Sequence, residues 1–475
     1  MARSSRLHRT GLSLNQFTRP VATSETGERS PLATEVAVAA GVFVAMCVVV
    51  LMRSPQLLEP DDYAYRASII ALSQGHLLLT NTQYFALKAQ LSAHGGPGIE
   101  QWVHLSSGKW ISQKNPGYPF FGVIFQWLHS LRAIPLFYGA FGCAGLFFGA
   151  RTWLGRWGGF YVVALYCFSG AALLFAWRAT MSTFTDASLI AGGTGLLLGV
   201  LLRRDDPPSR RFMLGVLAFL ALDCAVFIRY TDVVVLGVAV VVVVCFARVS
   251  GVSWRMIAGW CGVVAAFGVF DLVINHLLYG GVFTTGYRSG IVTFGVSAIA
   301  PNLERMPSRL VDGVPMTILA VVAVLWIAIR VVSHRGVGPT AQGTERRDAL
   351  VALALAVGWF ALWGLYSAYT WTVGQTLGPG NPLHVVRFYV PVLGLIALLG
   401  AWFLTRLPKW PATALIALIM GLALWSYVTP ANDIIVGRPP TARFSQSGSA
   451  TASSVANLPG PSPMGEIHSV EPPMN

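Results

Sequence analysis

The chain has 475 residues, of which 54% are hydrophobic and 11% charged, with a net charge of +13. A soluble domain carries roughly 25% charged residues, so this composition excludes a water-solvated globule and calls for lipid as solvent. The basic residues fall in short clusters between apolar runs, which excludes a nucleic-acid patch and is how membrane topology is written.

Residues 1–32 form a polar, basic arm, expected to be disordered and cytoplasmic. The first apolar run, about 33–52, has no small-residue cleavage site after it and reads as an uncleaved anchor. Glu59-Pro60-Asp61-Asp62-Tyr63 follows. Pro60 suits the first turn of a helix, and Tyr63 to Leu72 continue as an amphipathic helix ending near Gly75, expected to lie along the membrane surface. Asp61 and Asp62 fall in its first turn, where one acid would suffice to meet the macrodipole. Asp62 and Arg66 have the i,i+4 spacing of a surface ion pair.

Val103 to Ser112 reads as a hairpin turning at Ser107-Gly108. Gln113-Lys114-Asn115-Pro116-Gly117-Tyr118-Pro119 then makes a rigid bend back to the membrane. Lys88, Lys109 and Lys114 put positive charge in this loop. The stretch 117–131 is apolar but short.

Further runs long enough to span lie at about 133–150, 158–177, 184–202, 212–228, 232–249, 256–279, 313–333, 349–369, 387–405 and 411–428. With the N-terminus in the cytoplasm, every even-numbered span ends inside on arginine or lysine, from Arg151 and Arg156 through Arg203, Arg204, Arg210 and Arg211 to Arg406 and Lys409. That is the positive-inside pattern. It puts loops 53–117, 280–312 and 370–386 outside, with a Pro/Ser/Gly-rich tail from 429 to 475 expected to be disordered. All six cysteines sit in apolar runs, so no disulfide framework or Cys metal site is implied. The fold class is therefore all-α, a polytopic transmembrane helical bundle of about 10–12 spans in residues 33–428 with a structured first outer loop.

Most carboxylates fall on the outer side. Asp186, Asp223, Asp232 and Asp271 lie at or near outer helix ends, and a carboxylate in hydrocarbon needs a partner or a polar cavity. Arginines accompany them against the topological trend: Arg178 near Asp186, Arg229-Tyr230-Thr231-Asp232, Tyr287-Arg288, and His384-Val385-Val386-Arg387-Phe388-Tyr389-Val390-Pro391. A guanidinium binds phosphate with a planar fork.

This ordered set resembles the GT-C superfamily of multi-pass glycosyltransferases that use polyprenyl-phosphate sugars. The acidic motif at 59–63 stands in the first outer loop, Gly108-Lys109-Trp110 leads to Asn115-Pro116-Gly117-Tyr118-Pro119, and Arg387-Phe388-Tyr389-Val390-Pro391 opens a late span. Asn115 departs from the double proline often seen before that glycine. The resemblance implies a hexosyl- or pentosyltransferase of the cell membrane, with its active site facing outward and inverting transfer from an outer-leaflet polyprenyl-phosphate donor. The acceptor would be a hydroxyl of a glycan, lipid or protein. It implies Asp61 as the base, with Asp62 beside it, one of the two positioning the acceptor or holding a divalent cation. Lys114, Arg229, Arg387 and Arg288 would meet the donor phosphate. Glu59, Tyr63, Asp186, Asp232 and His384 would complete the substrate site, and Tyr63, Trp110 and Tyr118 would stack on sugar rings. The alternative is a transporter or lipid-linked-sugar flippase, whose site would sit nearer the midplane with paired repeats.

Overall fold

The structure is a computed structural model describing residues 32–54, 60–93, 97–287, 293–333, 339–376 and 386–428. Glu59, Arg288, His384 and both termini lie outside the described residues. Helix α1 covers Leu32–Leu51, α2 Pro60–Ser73 and α3 Asn81–Ser92. Strands β1 (Trp102–His104) and β2 (Trp110–Ser112) pair antiparallel with Val103 opposite Ile111. Then come α4 (Gly117–Trp127), α5 (Ala133–Leu154), α6 (Gly158–Cys167), α7 (Gly170–Trp177), α8 (Thr183–Leu202), α9 (Pro208–Ile228), α10 (Val233–Ser250) and α11 (Trp254–Tyr279). The chain continues with α12 (Ile299–Gly313), α13 (Thr317–Ser333), α14 (Pro339–Ser367), α15 (Thr370–Thr376), α16 (Leu393–Leu404) and α17 (Lys409–Val428).

The protein is a polytopic helical membrane protein. Each of the eleven apolar runs coincides with helix, but they are not eleven straight spans. Among the described residues seven helices are long and apolar enough to cross a membrane, or nine if each bent pair is one span. The run at 158–177 breaks into α6 and α7, bent by 61°, because the Ser169 side chain accepts from Ala172 N and starts a new helix. The run at 313–333 follows amphipathic α12, which buries Asn302, Met306 and Leu310 four residues apart and meets α13 at 111°. At 387–405, a 3-10 turn at Val390–Val392 precedes α16, since Pro391 offers no N–H to the helix. Helix α17 is an apolar helix of 20 residues.

Helix α8 is buried along nearly its whole length and lies against α5 through glycine. A Cβ on Gly145 would run into the Gly192 backbone, and one on Gly149 or Gly195 would meet the opposing helix backbone. Small residues at three- and four-residue spacing let helices approach closely in lipid, where packing rather than water drives association. At the end of the bundle away from α2, Glu35 bonds Arg151 Nε at 2.8 Å. There too, Asp348 accepts from the Trp153 and Trp402 indoles and from Arg406.

Replacing Gly195 with Val should force the α5 and α8 backbones apart and cost at least the ~1–3 kcal/mol of overpacking. Gly41→Val, where a Cβ meets nothing within 4 Å, is the control. A thermal-unfolding scan in detergent should show a marked drop for the first only; equal midpoints would contradict the packing.

Candidate active site

The site grows from the first turn of α2. Pro60 opens the helix and both following positions are acidic. Successive helical residues point about 100° apart, so the two carboxylates diverge. Asp61 Oδ1 meets Lys114 Nζ at 2.8 Å and its Oδ2 meets Arg387 Nη1 at 3.0 Å. Asp62 Oδ2 meets Arg178 Nη2 at 2.5 Å, and Thr180 Oγ1 donates to Oδ1 at 3.4 Å. Asp61 and Lys114 are 9% and 7% exposed, Arg387 6%, Arg178 1% and Asp62 0%. At that burial an uncompensated charge is not tolerable, so the pairs are a condition of folding.

Local sequence delivers each partner. The hairpin turn at Gly108, with φ +75°, closes through Gly108 N to Leu105 O. The strand that follows brings up Lys114, whose amide donates to Ser112 Oγ and whose ammonium reaches Tyr287 OH at 3.1 Å. Asn115 Nδ2 donates to Ile228 O, and Gly117 packs so tightly on Phe227 O that a Cβ would overlap it. The bend thus clamps Lys114 against the end of α9. Arg178 is the C-terminal cap of α7. Arg387 precedes α16 and lies over Trp371 and Phe388, 5.1 and 4.8 Å from their centroids.

A second cluster adjoins the first. Arg229 Nη1 donates to the Arg387 carbonyl at 3.3 Å, while its Nε lies 3.4 Å from Asp186 Oδ2. Asp232 sits beside both Asp186 and Arg229. Thr231 bonds Tyr366 OH at 2.6 Å.

Electrostatics sets the resting state. Burial pushes the Asp61 carboxyl up, but Lys114 and Arg387, with hydrogen bonds from Lys114 and Gln101, hold it well below the usual carboxylate range. Burial pushes Lys114 down, yet Asp61 keeps its pKa above the ordinary lysine value. Glu100, half-buried nearby, is pushed up by burial and by Asp61's charge, with Lys88 pulling it back.

Asp61, Asp62, Lys114 and Arg387 therefore come together, with Arg229, Asp186 and Asp232 adjoining. One expectation is corrected. Asp62 turns inward to Arg178 rather than pairing on the surface with Arg66. Asp186 takes Arg229. The α2 helix buries one face against the bundle, with Ile69 at Gly122 of α4. Among the described residues no ion pair joins Asp223 or Asp271 to the cluster. Of the aromatic residues Tyr118 is committed to packing, whereas Trp110 and Tyr63 are partly exposed. Trp110 stacks on Tyr84 at 4.0 Å and donates to Asn81. Tyr118 is fully buried and donates to Ala179 O at 2.6 Å. Tyr63 is half-buried on α2 beside Arg66.

Sequence reasoning left out Arg178 as a site residue, because nothing near it in the chain points to Asp62, 116 residues away. Gln101 also escaped notice; its left-handed backbone (φ +54°) carries no sequence signal.

No protein-family model and no curated protein matches this chain. Among solved structures it is similar to ArnT from Cupriavidus metallidurans bound to undecaprenyl phosphate, at 16% identity and TM-score 0.47 over 82% of this chain and 63% of that one. The apo form of the same protein aligns at 16% identity and TM-score 0.46 over 80% and 60%. The Archaeoglobus fulgidus oligosaccharyltransferase in its apo form aligns at 11% identity and TM-score 0.46 over 84% and 56%. The chain thus spans 56–63% of the length of these proteins.

Two predictions follow from the ion pairs. Arg178→Ala strands Asp62 as a buried charge and should cost about 3–5 kcal/mol, seen as a lower unfolding midpoint in detergent. Adding Asp62→Asn should recover much of it, and no recovery would contradict the pairing. As to pH, Asp61's lowered pKa makes its stabilisation present above about 4 and lost only as pH falls through the lower folded value. Lys114's raised pKa makes its contribution present below about 10 and lost only as pH rises through the higher folded value. The difference in unfolding midpoint between wild type and Asp61→Asn should therefore stay flat from about pH 5 to 9. A break near neutrality would contradict the clamp.

Proposed function

We propose that this membrane protein is an inverting glycosyltransferase that moves a sugar from a polyprenyl-phosphate donor to an acceptor hydroxyl at the extracytoplasmic face. The observation that carries this reading is the Asp61 carboxylate bridged between Lys114 and Arg387, three residues from three distant segments, at the mouth of a helical bundle. The set holds what transfer from a phosphate needs: a carboxylate for the acceptor proton and two cations for the departing charge.

In the reaction the acceptor oxygen forms a bond to the anomeric carbon as the bond from that carbon to the phosphate oxygen breaks. The electron pair leaves with the phosphate, whose charge Lys114 and Arg387 neutralise, and the acceptor proton passes to Asp61. Attack opposite the leaving group inverts the centre. At rest Asp61 is a poor base because both cations hold it. A donor phosphate competes for those same cations and adds negative charge beside the carboxylate, so donor binding raises Asp61's affinity for a proton. The base is armed only when the donor is in place. Asp62, locked to Arg178, fixes the helix turn that aims Asp61, and Arg229 backs Arg387 through its carbonyl.

The residues fit a divalent cation poorly. Both Asp61 oxygens already face cations and Asp62 is held by Arg178. Among the described residues no group of three His, Cys, Asp or Glu is placed to hold a metal. The orientation, with the N-terminus in the cytoplasm, rests on the distribution of arginines between the runs. Acceptors of the expected kind are cell-envelope glycans, lipids or proteins.

The full chain in nanodiscs, given a panel of polyprenyl-phosphate hexoses and pentoses with an envelope extract, should transfer label. Asp61→Asn should lower the rate by about 10²–10⁴-fold. Arg387→Ala should cost more than Arg387→Lys, which keeps the charge and loses the fork. Chelator should leave the rate unchanged. Undiminished transfer by folded Asp61→Asn would sink the assignment.

A further inference from the structure

Three of the six cysteines draw together inside the bundle: Cys47 on α1, Cys143 on α5 and Cys167, the last residue of α6. The Cys143 and Cys167 sulfurs are 3.4 Å apart, each the other's hydrogen-bond partner. Cys47 lies close enough to interact with both. In the sequence each is a small apolar packing residue. In the structure they form a series that runs from lipid to core. Cys47 is half-buried between Val44 and Val48, which are 56% and 52% exposed on the lipid-facing side of the bundle, Cys143 is 6% exposed and Cys167 is fully buried.

The inner pair is placed for a covalent bond. A disulfide sets its sulfurs about 2.05 Å apart, so these have about 1.4 Å to close. Both carriers of the pair are seated on one helix. Tyr166, just before Cys167, bonds Ser188 of α8 at 2.8 Å, and α5 lies against the same α8 through glycine. The position also bears on the site. Phe168 caps α6, Ser169 starts α7, and α7 ends on Arg178, the partner of Asp62. A bond at Cys167 fastens one side of that bend to α5. Thiol reactivity follows access. These sulfurs are shut off from water by protein and lipid, so an oxidant in solution does not reach them. One dissolved in the bilayer meets the cluster from the Cys47 side.

We propose that Cys143 and Cys167 are a redox site that a lipid-soluble quinone oxidises to a disulfide, pinning the end of α6 to α5 beside the bend into α7. Two S–H bonds break and one S–S bond forms, and the two electrons and two protons reduce the quinone to its hydroquinone. The inference does not depend on the transfer reading. The full chain in nanodiscs would be incubated with a fully substituted alkyl benzoquinone, whose blocked ring carbons take no thiol, or with tetrathionate, which stays in water. The protein is then unfolded, alkylated and weighed intact. With the quinone, two of the six cysteines should escape alkylation and a reductant should restore them. Peptide mapping should join Cys143 to Cys167. Cys143→Ala and Cys167→Ala should each leave every remaining thiol alkylated, whereas Cys47→Ala should leave the bridge intact. Amide exchange at residues 168–172 should slow severalfold on oxidation. Complete alkylation of wild type after the quinone, or a bridge through another cysteine, overturns the site. A bridge made as readily by tetrathionate overturns the lipid route, and unchanged exchange in the bridged protein overturns the pinning.

Discussion

Two adjacent carboxylates are buried at the start of α2, and the rest of this end of the molecule follows from that. The cost of taking each charge out of water is several kcal/mol even after relaxation. It is met only by geometry that no local segment of the chain supplies. Lys114 comes from the hairpin's exit, Arg178 from the end of α7 and Arg387 from the entry to α16. The loop between α1 and α5 is therefore fastened to the bundle through Arg178 and Arg387, while Lys114 ties its two ends to each other. The clamps around it, Asn115 on Ile228 O and Gly117 on Phe227 O, keep Lys114 from leaving its partner.

The charges also sit where helix ends favour them. Asp61 and Asp62 occupy the first turn of α2 and Asp186 that of α8. Arg178 and Arg229 cap the C-termini of α7 and α9. Negative charge at N-termini and positive charge at C-termini is the arrangement the macrodipole stabilises. In a bilayer, interrupted backbone is tolerated only where it is buried in protein or lines a polar space. The bend between α6 and α7 and the 3-10 turn before α16 are such interruptions; α7 after the bend ends on Arg178, and the 3-10 turn follows Arg387. The glycine contact of α5 with α8 serves the same end. It holds α8 central, so that Asp186 lies close enough to Arg229 to support Arg387 from behind.

Much of this was legible in the sequence. Apolar runs fix helices because lipid leaves the backbone no other solvent, and all eleven are helical. The acidic pair, the hairpin at Gly108 and the late arginine were readable because each puts costly chemistry beside a membrane. Pairing was not readable. Asp62 could be matched to Arg66 by spacing, and only the packed structure turns it to Arg178. The breaks within runs were not readable either, since a single serine or proline divides a run whose composition is uninterrupted. Trp110 and Tyr118 looked equally fit for sugar or interface, since aromatic amphipathicity does not distinguish a ligand face from a packing face; Tyr118 is fully buried and Trp110 partly exposed. The small residues at Gly142, Gly145 and Gly149 mark a close helix contact by spacing, but nothing in one sequence names α8 as the partner.

The balance of charge adds a last constraint. Asp61 and Asp62 face Lys114, Arg178 and Arg387, so the first cluster holds one more cation than it has carboxylates. An arriving phosphate supplies the missing negative charge, and in a site of low dielectric that charge acts strongly on every carboxylate nearby. Of these, Asp61 shares its cations with the proposed phosphate position, so it feels the change most directly. On the transfer reading, the excess cation that draws the donor phosphate in is also what lets Lys114 and Arg387 turn from Asp61 to the phosphate, leaving the carboxylate free to take the acceptor proton.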